Sequence, residues 1–394
     1  MKLYISDVHL EKETARVKID TVVIQPTPFC NLNCCYCYLP YRLNTKRIRT
    51  EVLTQIFQLV LPSRFVSRDI TILWHAGEPL ILPISFYREA FELQQRWNTQ
   101  GVRIVNSLQT NATLINQAWC DFFKDYNVRV GVSLDGPEHI HNANRVDRAG
   151  RGSFQSALRG VELLRENEIE YGVIAVITNE SVQYPDAIWQ FFTELQPARL
   201  GFNPEEVTGA NLHSTLQTGA MIERYRAFFS RILTLSIESE QPVIIREVEN
   251  MFSALFDSQS PRRFVTNVAL KYLNFDCNGN ISTFSPELLS TGHQVDNAFV
   301  FGNVAHSSLD DVLMHPKFTE INTQIERGVE MCRETCDYFL FCGGGCPSNK
   351  LFENGTFSST ETNACRLHVK VPVDVLLGRL EEVYQVRPFS SLEG

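Results

Sequence analysis

Pro28-Phe29-Cys30-Asn31-Leu32-Asn33-Cys34-Cys35-Tyr36-Cys37-Tyr38 follows directly on the apolar, β-branched run 21–24. A strand that ends at Ile24 therefore delivers three thiols onto the loop at its C-terminal end. Cys30, Cys34 and Cys37 are separated by three and two residues, and thiolates so spaced can hold three irons of a 4Fe-4S cubane while leaving the fourth iron open. A structural zinc site is the alternative. Such a site wants four closed ligands, and no further Cys or His stands at finger-like spacing nearby. Cys35 falls outside the spacing and reads as a small buried filler.

Working outward from this loop, short apolar runs alternate with amphipathic stretches about every 30 residues, the pattern of βα units. The spacing predicts strands at 21–24, 70–73, 102–105, 128–133, 172–177 and 199–202, with helices at 50–60, 85–97, 153–165 and 185–195. Six such units predict an α/β fold, a partial (βα)6 barrel of the TIM type, because a ligand at the strand C-termini then meets loops from every unit. Residues 1–20 form an N-terminal extension and 21–220 the barrel. One or two longer helices at 221–268 connect it to a small cysteine-rich domain, 269–394, with few periodic segments.

The 394-residue chain is 44% hydrophobic and 21% charged, which suits a globular protein. A net charge of −9 without basic runs argues against a nucleic-acid partner. Neither a signal-type segment nor a run of membrane-spanning length is present, so a cytoplasmic protein without a membrane partner is expected. Of eleven cysteines, nine lie in two clusters or just beyond the second. An odd count so distributed suits metal ligation in a reducing compartment better than disulfides.

Further segments follow in order: Trp74-His75-Ala76-Gly77-Glu78-Pro79 after the second strand, then Ser133-Leu134-Asp135-Gly136-Pro137 with His141 and Arg145 after the fourth. Together with the cysteine loop they resemble the radical S-adenosylmethionine (SAM) superfamily. The resemblance implies that the open iron binds SAM, and that Gly77, Glu78 and Pro79 stand where the family's Gly-Gly-Glu-Pro motif holds the SAM amino group, with Ala76 replacing the first glycine. Ser133 would meet the ribose and Arg145 the methionine carboxylate by a bidentate pair. Tyr36 and Asp135 complete the cofactor-binding set. Gln109, Thr110 and Asn111, and likewise Thr178 and Asn179, read equally as turn residues or substrate contacts. His75, His139 and His141 read as surface or supporting residues.

Near the C-terminus, Cys332, Cys336, Cys342, Cys346 and Cys365 lie in a glycine-rich region, where glycines let backbone close around an inorganic core. Zinc remains an alternative on spacing. The region resembles the SPASM extension, which implies that Cys332, Cys336, Cys342 and Cys365 ligate one auxiliary 4Fe-4S cluster. The second auxiliary site of that pattern is depleted: Phe284 or Ser285 stands where a cysteine is expected, leaving Cys277 and Cys346. Two clusters in total are expected, with three as the alternative.

Ser282-Thr283-Phe284-Ser285-Pro286-Glu287 and Pro347-Ser348-Asn349-Lys350 are similar to cyclophane-forming, Grr-type peptide maturases. That resemblance implies an oxidoreductase acting on a ribosomally made precursor peptide. A 5'-deoxyadenosyl radical would take hydrogen from a side-chain β-carbon, which then joins an aromatic ring two positions earlier. Glu287 or Asp276 would serve as the catalytic base, though each reads equally as a solvated or turn residue. An electron donor such as flavodoxin or ferredoxin is expected, and the N-terminal extension is too short for a separate leader-binding domain. The rival readings are sulfatase formylglycine maturation, thioether crosslinking, and, in another class, a non-catalytic iron-sulfur or zinc module.

Overall fold

The computed structural model describes residues 18–256, 263–291 and 298–385. Most of the N-terminal extension lies outside them. Nine strands form one sheet in the order β6-β5-β4-β3-β2-β1-β7-β8-β9. Six are the barrel strands: β1 (Ile19–Ile24), β2 (Val66–Trp74), β3 (Arg103–Thr110), β4 (Arg129–Ser133), β5 (Tyr171–Ile177) and β6 (Arg199–Pro204). All neighbours among them are parallel. The expected six-unit α/β fold is present, and its sheet stays open between β6 and β1.

Parallel strands buried on both faces require helices as cover. Thr50–Val60 does this with Val52, Leu53, Ile56, Phe57 and Val60 on one face, the i, i+4 spacing of an amphipathic helix. Helices Thr50–Val60 and Pro185–Leu195 have the ends that the periodicity predicts. Two others, Gln117–Asp125 and Glu138–Asn144, went unpredicted. β3 runs to Thr110 and β2 starts at Val66, so Gln109 and Thr110 are strand residues instead of turn residues.

The C-terminal region departs further from expectation. Its strands β7 (Tyr272–Phe275), β8 (Asn280–Thr283) and β9 (Gly302–Asn303) continue the barrel's own sheet, with β7 parallel to β1 and the next two pairings antiparallel. It also contains a 20-residue helix, Pro316–Thr335, that carries Cys332 in its last turn. No helix of the described residues is long and apolar enough to cross a membrane.

Just after β8, Phe284 takes a left-handed backbone (φ 71°) and is fully buried. Its ring stacks on Phe318 (centroids 5.8 Å apart, planes at 6°) and meets Phe301 edge-on. An aromatic plug thus fills one of the two positions, Phe284 or Ser285, at which the SPASM resemblance implies a cysteine. Because nothing small can replace that ring without a void, Phe284→Ala is expected to cost about 3–5 kcal/mol; chemical denaturation would register it as a lower midpoint at unchanged m-value.

Candidate functional site

All six parallel strands end on one face, and their C-terminal loops bring together residues far apart in sequence. The cysteine loop after β1 is laced to the segment after β4: Asn33 N–H donates to Val146 O (2.7 Å) and Cys35 N–H to Asn144 O (3.0 Å). Arg148, which the sequence reading passed over, donates through Nη2 to Cys30 O and to Arg42 O, each at 2.7 Å. Arg42 donates in turn to Cys34 O (2.9 Å). Cys35 is exposed and contacts Asn144 Oδ1 (2.9 Å), so it is not the buried filler that its spacing suggested.

Cys30, Cys34 and Cys37 are free thiols. Burial above all, then the Glu78 carboxylate, pushes Cys30 up to about 12, and Cys34 and Cys37 add to the effect. Burial likewise pushes Cys34 up to about 11, against the pull of Arg145. Thiols that resist ionisation because they are buried and close together call for a cation among them, and a ligated metal centre supplies that charge. Cys30 Sγ also accepts from Leu32 N–H (3.4 Å) and the Asn111 amide (3.8 Å), as thiolates of an iron-sulfur site do. The donor set therefore fits a cluster. Among the described residues no three of His, Cys, Asp or Glu converge on one ion; cubane ligands need not, since each takes a separate iron.

Ala76 and Gly77 both adopt left-handed backbone (φ 69° and 60°). Ala76 thus holds the geometry of the glycine it replaces, at a steric cost that a glycine would avoid. Glu78 N–H bonds Phe29 O (2.8 Å), tying this turn to the cysteine loop. The Glu78 carboxylate, expected beside an ammonium, faces inward. It accepts from Leu80 N–H (3.0 Å), Thr110 Oγ1 (2.7 Å) and Asn111 N–H (2.9 Å). Burial nevertheless pushes it up to about 7. Tyr87 Oη donates to Pro79 O (2.9 Å) and braces the same turn from behind.

After β4, Asp135 is 0% exposed. Its Oδ1 accepts from Arg145 Nη2 (3.0 Å) and Val176 N–H (3.0 Å), and its Oδ2 from the Tyr36 hydroxyl. Asp135 and Tyr36, both placed by sequence among the cofactor contacts, therefore spend these polar groups on each other and on Arg145. The Arg145 guanidinium lies over the Tyr36 ring at 5.3 Å. Burial opposes its charge, but Asp135, Tyr36 and Cys34 together outweigh burial and hold Arg145 well above its ordinary value. Its Nε is buried without a partner, so one donor remains for an anion such as a carboxylate. Ser133 Oγ accepts from Gln109 (3.0 Å) at the end of the strand. Burial pushes His75 and His141 down to about 4, which keeps both neutral.

Cys332, Cys336, Cys342 and Cys365 line one cavity of about 130 Å³. That is far more than the roughly 10–15 Å³ that one water needs, so it has room for a group larger than a lone ion. Three left-handed glycines, Gly343, Gly344 and Gly345, wrap Cys342, and amides of the last two face its thiol. Cys346 lines the same cavity and Cys277 does not. Cys277 sits in apolar core beside Asp276 and Lys46. Cys346 Sγ lies 3.3 Å from Ser285 Oγ and 3.0 Å from Ser348 Oγ.

The two candidate bases differ. Asp276 accepts from the backbone and side-chain amides of both Asn278 and Asn280 (2.8–3.1 Å), which makes it the brace of the β7–β8 turn. Glu287 is partly exposed, and burial, then Glu206, pushes its carboxyl up to about 7. Its field reaches Tyr38 and Cys346. The Tyr38 hydroxyl, missed by sequence reasoning, is buried without a partner.

A Cβ on Gly77 would drive into the carbonyl oxygens of Thr27 and Phe29. Gly77→Ala is therefore expected to cost about 2–4 kcal/mol and to loosen the cysteine loop; calorimetry together with iron retention after reconstitution would reveal both effects.

Residues 24–192 match the family described as the Radical SAM superfamily. The chain is 42% identical over 365 residues to an uncharacterised protein of Synechocystis sp., covering 92% of each. It is 27% identical over 350 residues to a serine-type anaerobic sulfatase-maturating enzyme of Bacteroides thetaiotaomicron, covering 84% of this chain and 83% of the other. The solved structure of native anSMEcpe with bound AdoMet superposes with a TM-score of 0.77 at 23% identity, over 93% and 100% of the two chains. Streptococcus suis SuiB bound to precursor peptide SuiA gives 0.61 at 16% identity, over 91% and 78%. At these identities the two structures speak for the fold.

Proposed function

This chain belongs to the radical SAM superfamily, and we propose that it matures a ribosomally made precursor peptide by joining an aromatic ring to a side-chain β-carbon. It is an enzyme that uses SAM and a 4Fe-4S cluster. When bound, the first cluster supplies the electron that cleaves SAM to methionine and a 5'-deoxyadenosyl radical, and an auxiliary cluster supplies an electron sink. Cys30, Cys34 and Cys37 hold the first, and Cys332, Cys336, Cys342 and Cys365 the second.

The residues of the barrel mouth do the positioning. Arg145, fixed by Asp135 and Tyr36, offers its free Nε–H to the methionine carboxylate of SAM. Ser133 meets the ribose. The turn 76–79 meets the amino group through backbone, since the Glu78 carboxylate is already engaged.

The observation that carries the crosslinking reading is the place of Glu287. A carboxyl pushed up to about 7 stands within reach of the field of Cys346, which lines the auxiliary cavity. Ring attack by a carbon radical leaves a proton and an electron to be removed, and here a base near neutrality lies close enough to a residue of the auxiliary cavity to act on its charge. The depletion of the second auxiliary site, where Phe284 or Ser285 stands in place of a cysteine, supports the same outcome. Formylglycine formation is the second reading, supported by the similarity to sulfatase-maturating enzymes. A flavodoxin or ferredoxin serves as reductant.

Co-expression with a small aromatic-rich precursor should yield a product two hydrogens lighter whose fragments stay joined across the crosslink. An aldehyde at a serine or cysteine instead would favour the second reading. Replacing Cys30, Cys34 and Cys37 together by alanine should abolish 5'-deoxyadenosine release, and undiminished release would refute the SAM-cluster assignment.

The pH dependence has a defined sign. A base with a value of about 7 is protonated and idle below it, so turnover should rise as pH increases through 7 and then level off. Glu287→Gln should remove that limb and slow crosslinking roughly 10²–10⁴-fold while 5'-deoxyadenosine formation continues. A pH–rate profile read alongside nucleoside release tests both.

A further inference from the structure

Lys350 projects from the helix Pro347–Asn354 into the cavity of the four C-terminal cysteines. It is 3% exposed. Its Nζ donates to Gly328 O (2.9 Å) and to Cys332 Sγ (3.4 Å). Among the described residues no carboxylate lies within ion-pair distance of it. The helix Pro316–Thr335 is notched to admit it. A Cβ on Gly328 would strike Phe357 O and stand 3.2 Å from the Lys350 ammonium.

A second lysine on the same cavity gives the contrast. Lys370 is paired with Glu361 (3.4 Å) and lies over the Tyr338 ring at 5.3 Å. Its charge is already balanced by a carboxylate. That of Lys350 has a thiol and a carbonyl for company, and a buried cation so placed is balanced only when its neighbour carries negative charge.

We propose that Lys350 sets the reduction potential of the iron-sulfur group held by Cys332, Cys336, Cys342 and Cys365; this rests on the auxiliary-cluster reading above. Each electron added to such a group makes it more negative. A cation fixed against one ligating sulfur stabilises that reduced state more than the oxidised one and raises the potential, as hydrogen bonds to cluster sulfurs do. Its part is electrostatic tuning of an electron acceptor.

The test uses the full chain with Cys30, Cys34 and Cys37 replaced by alanine, so that only the C-terminal site loads. After anaerobic reconstitution, iron and sulfide are quantified and the potential is read by EPR-monitored titration. Lys350→Met should keep the iron content and shift the midpoint to lower potential, and Lys350→Arg should restore it toward the parent value. Should the Met variant misfold by circular dichroism, Lys350→Gln takes its place with the same expectation. A neutral variant that retains its cluster at an unchanged potential overturns the proposal. So does one that folds but loses its iron, which would make Lys350 a part of assembly. If the parent with Lys350 intact binds no iron at this site, the auxiliary-cluster reading fails and the inference with it.

Discussion

The Asp135 carboxylate holds the barrel mouth together. Fully buried at the end of β4, it accepts from a tyrosine of the cysteine loop, an arginine ten residues further along, and the backbone of β5. A buried carboxylate is costly unless its lone pairs are filled, and here the filling donors come from the segments that must be fixed relative to one another. The thiols and the guanidinium keep their relative positions because one anion needs all three donors. Through Tyr36 the arrangement reaches the cysteine loop, and through Arg145 it reaches the pocket that an anionic group would enter.

Two other carboxylates have a similar structural part. Glu78 gathers the ends of β2 and β3, and Asp276 closes the turn between β7 and β8. Hydrogen bonds to charged groups contribute about 1.5–3 kcal/mol each, so each of these loops is held by more than one such bond. Glu287 shares with Glu78 a carboxyl raised to about 7 but differs from both braces in being partly exposed. The contrast separates a proton acceptor from braces of the same chemistry.

Much of this could be read along the chain, and the exceptions have physical causes. The barrel strands show as β-branched runs, and the helices 50–60 and 185–195 as amphipathic stripes with recognisable ends. Helix Pro316–Thr335 carries the same kind of stripe in Phe318, Ile321, Ile325 and Val329, but its polar remainder lies within a segment dominated by cysteines and glycines, which reads as a metal-stapled loop region. The cysteines and Arg145 could be picked out by spacing and motif. The inward turn of Glu78 could not, since its partners Thr110 and Asn111 lie 32 and 33 residues away and meet it only through strand pairing. Arg148 was hidden for the same reason, its acceptor being the carbonyl of Cys30, 118 residues earlier.

That arginine has a bearing on the life of the protein under oxygen. Arg148 spans the carbonyls of Cys30 and Arg42, and Arg42 returns to Cys34, so the loop is tied by protein bonds of its own. A loop so tied forfeits less chain entropy on holding a metal than an untied one would. Damage that strips the metal would then leave a mould ready for refilling, and rescue by fresh iron and sulfide would not require the polypeptide to fold again.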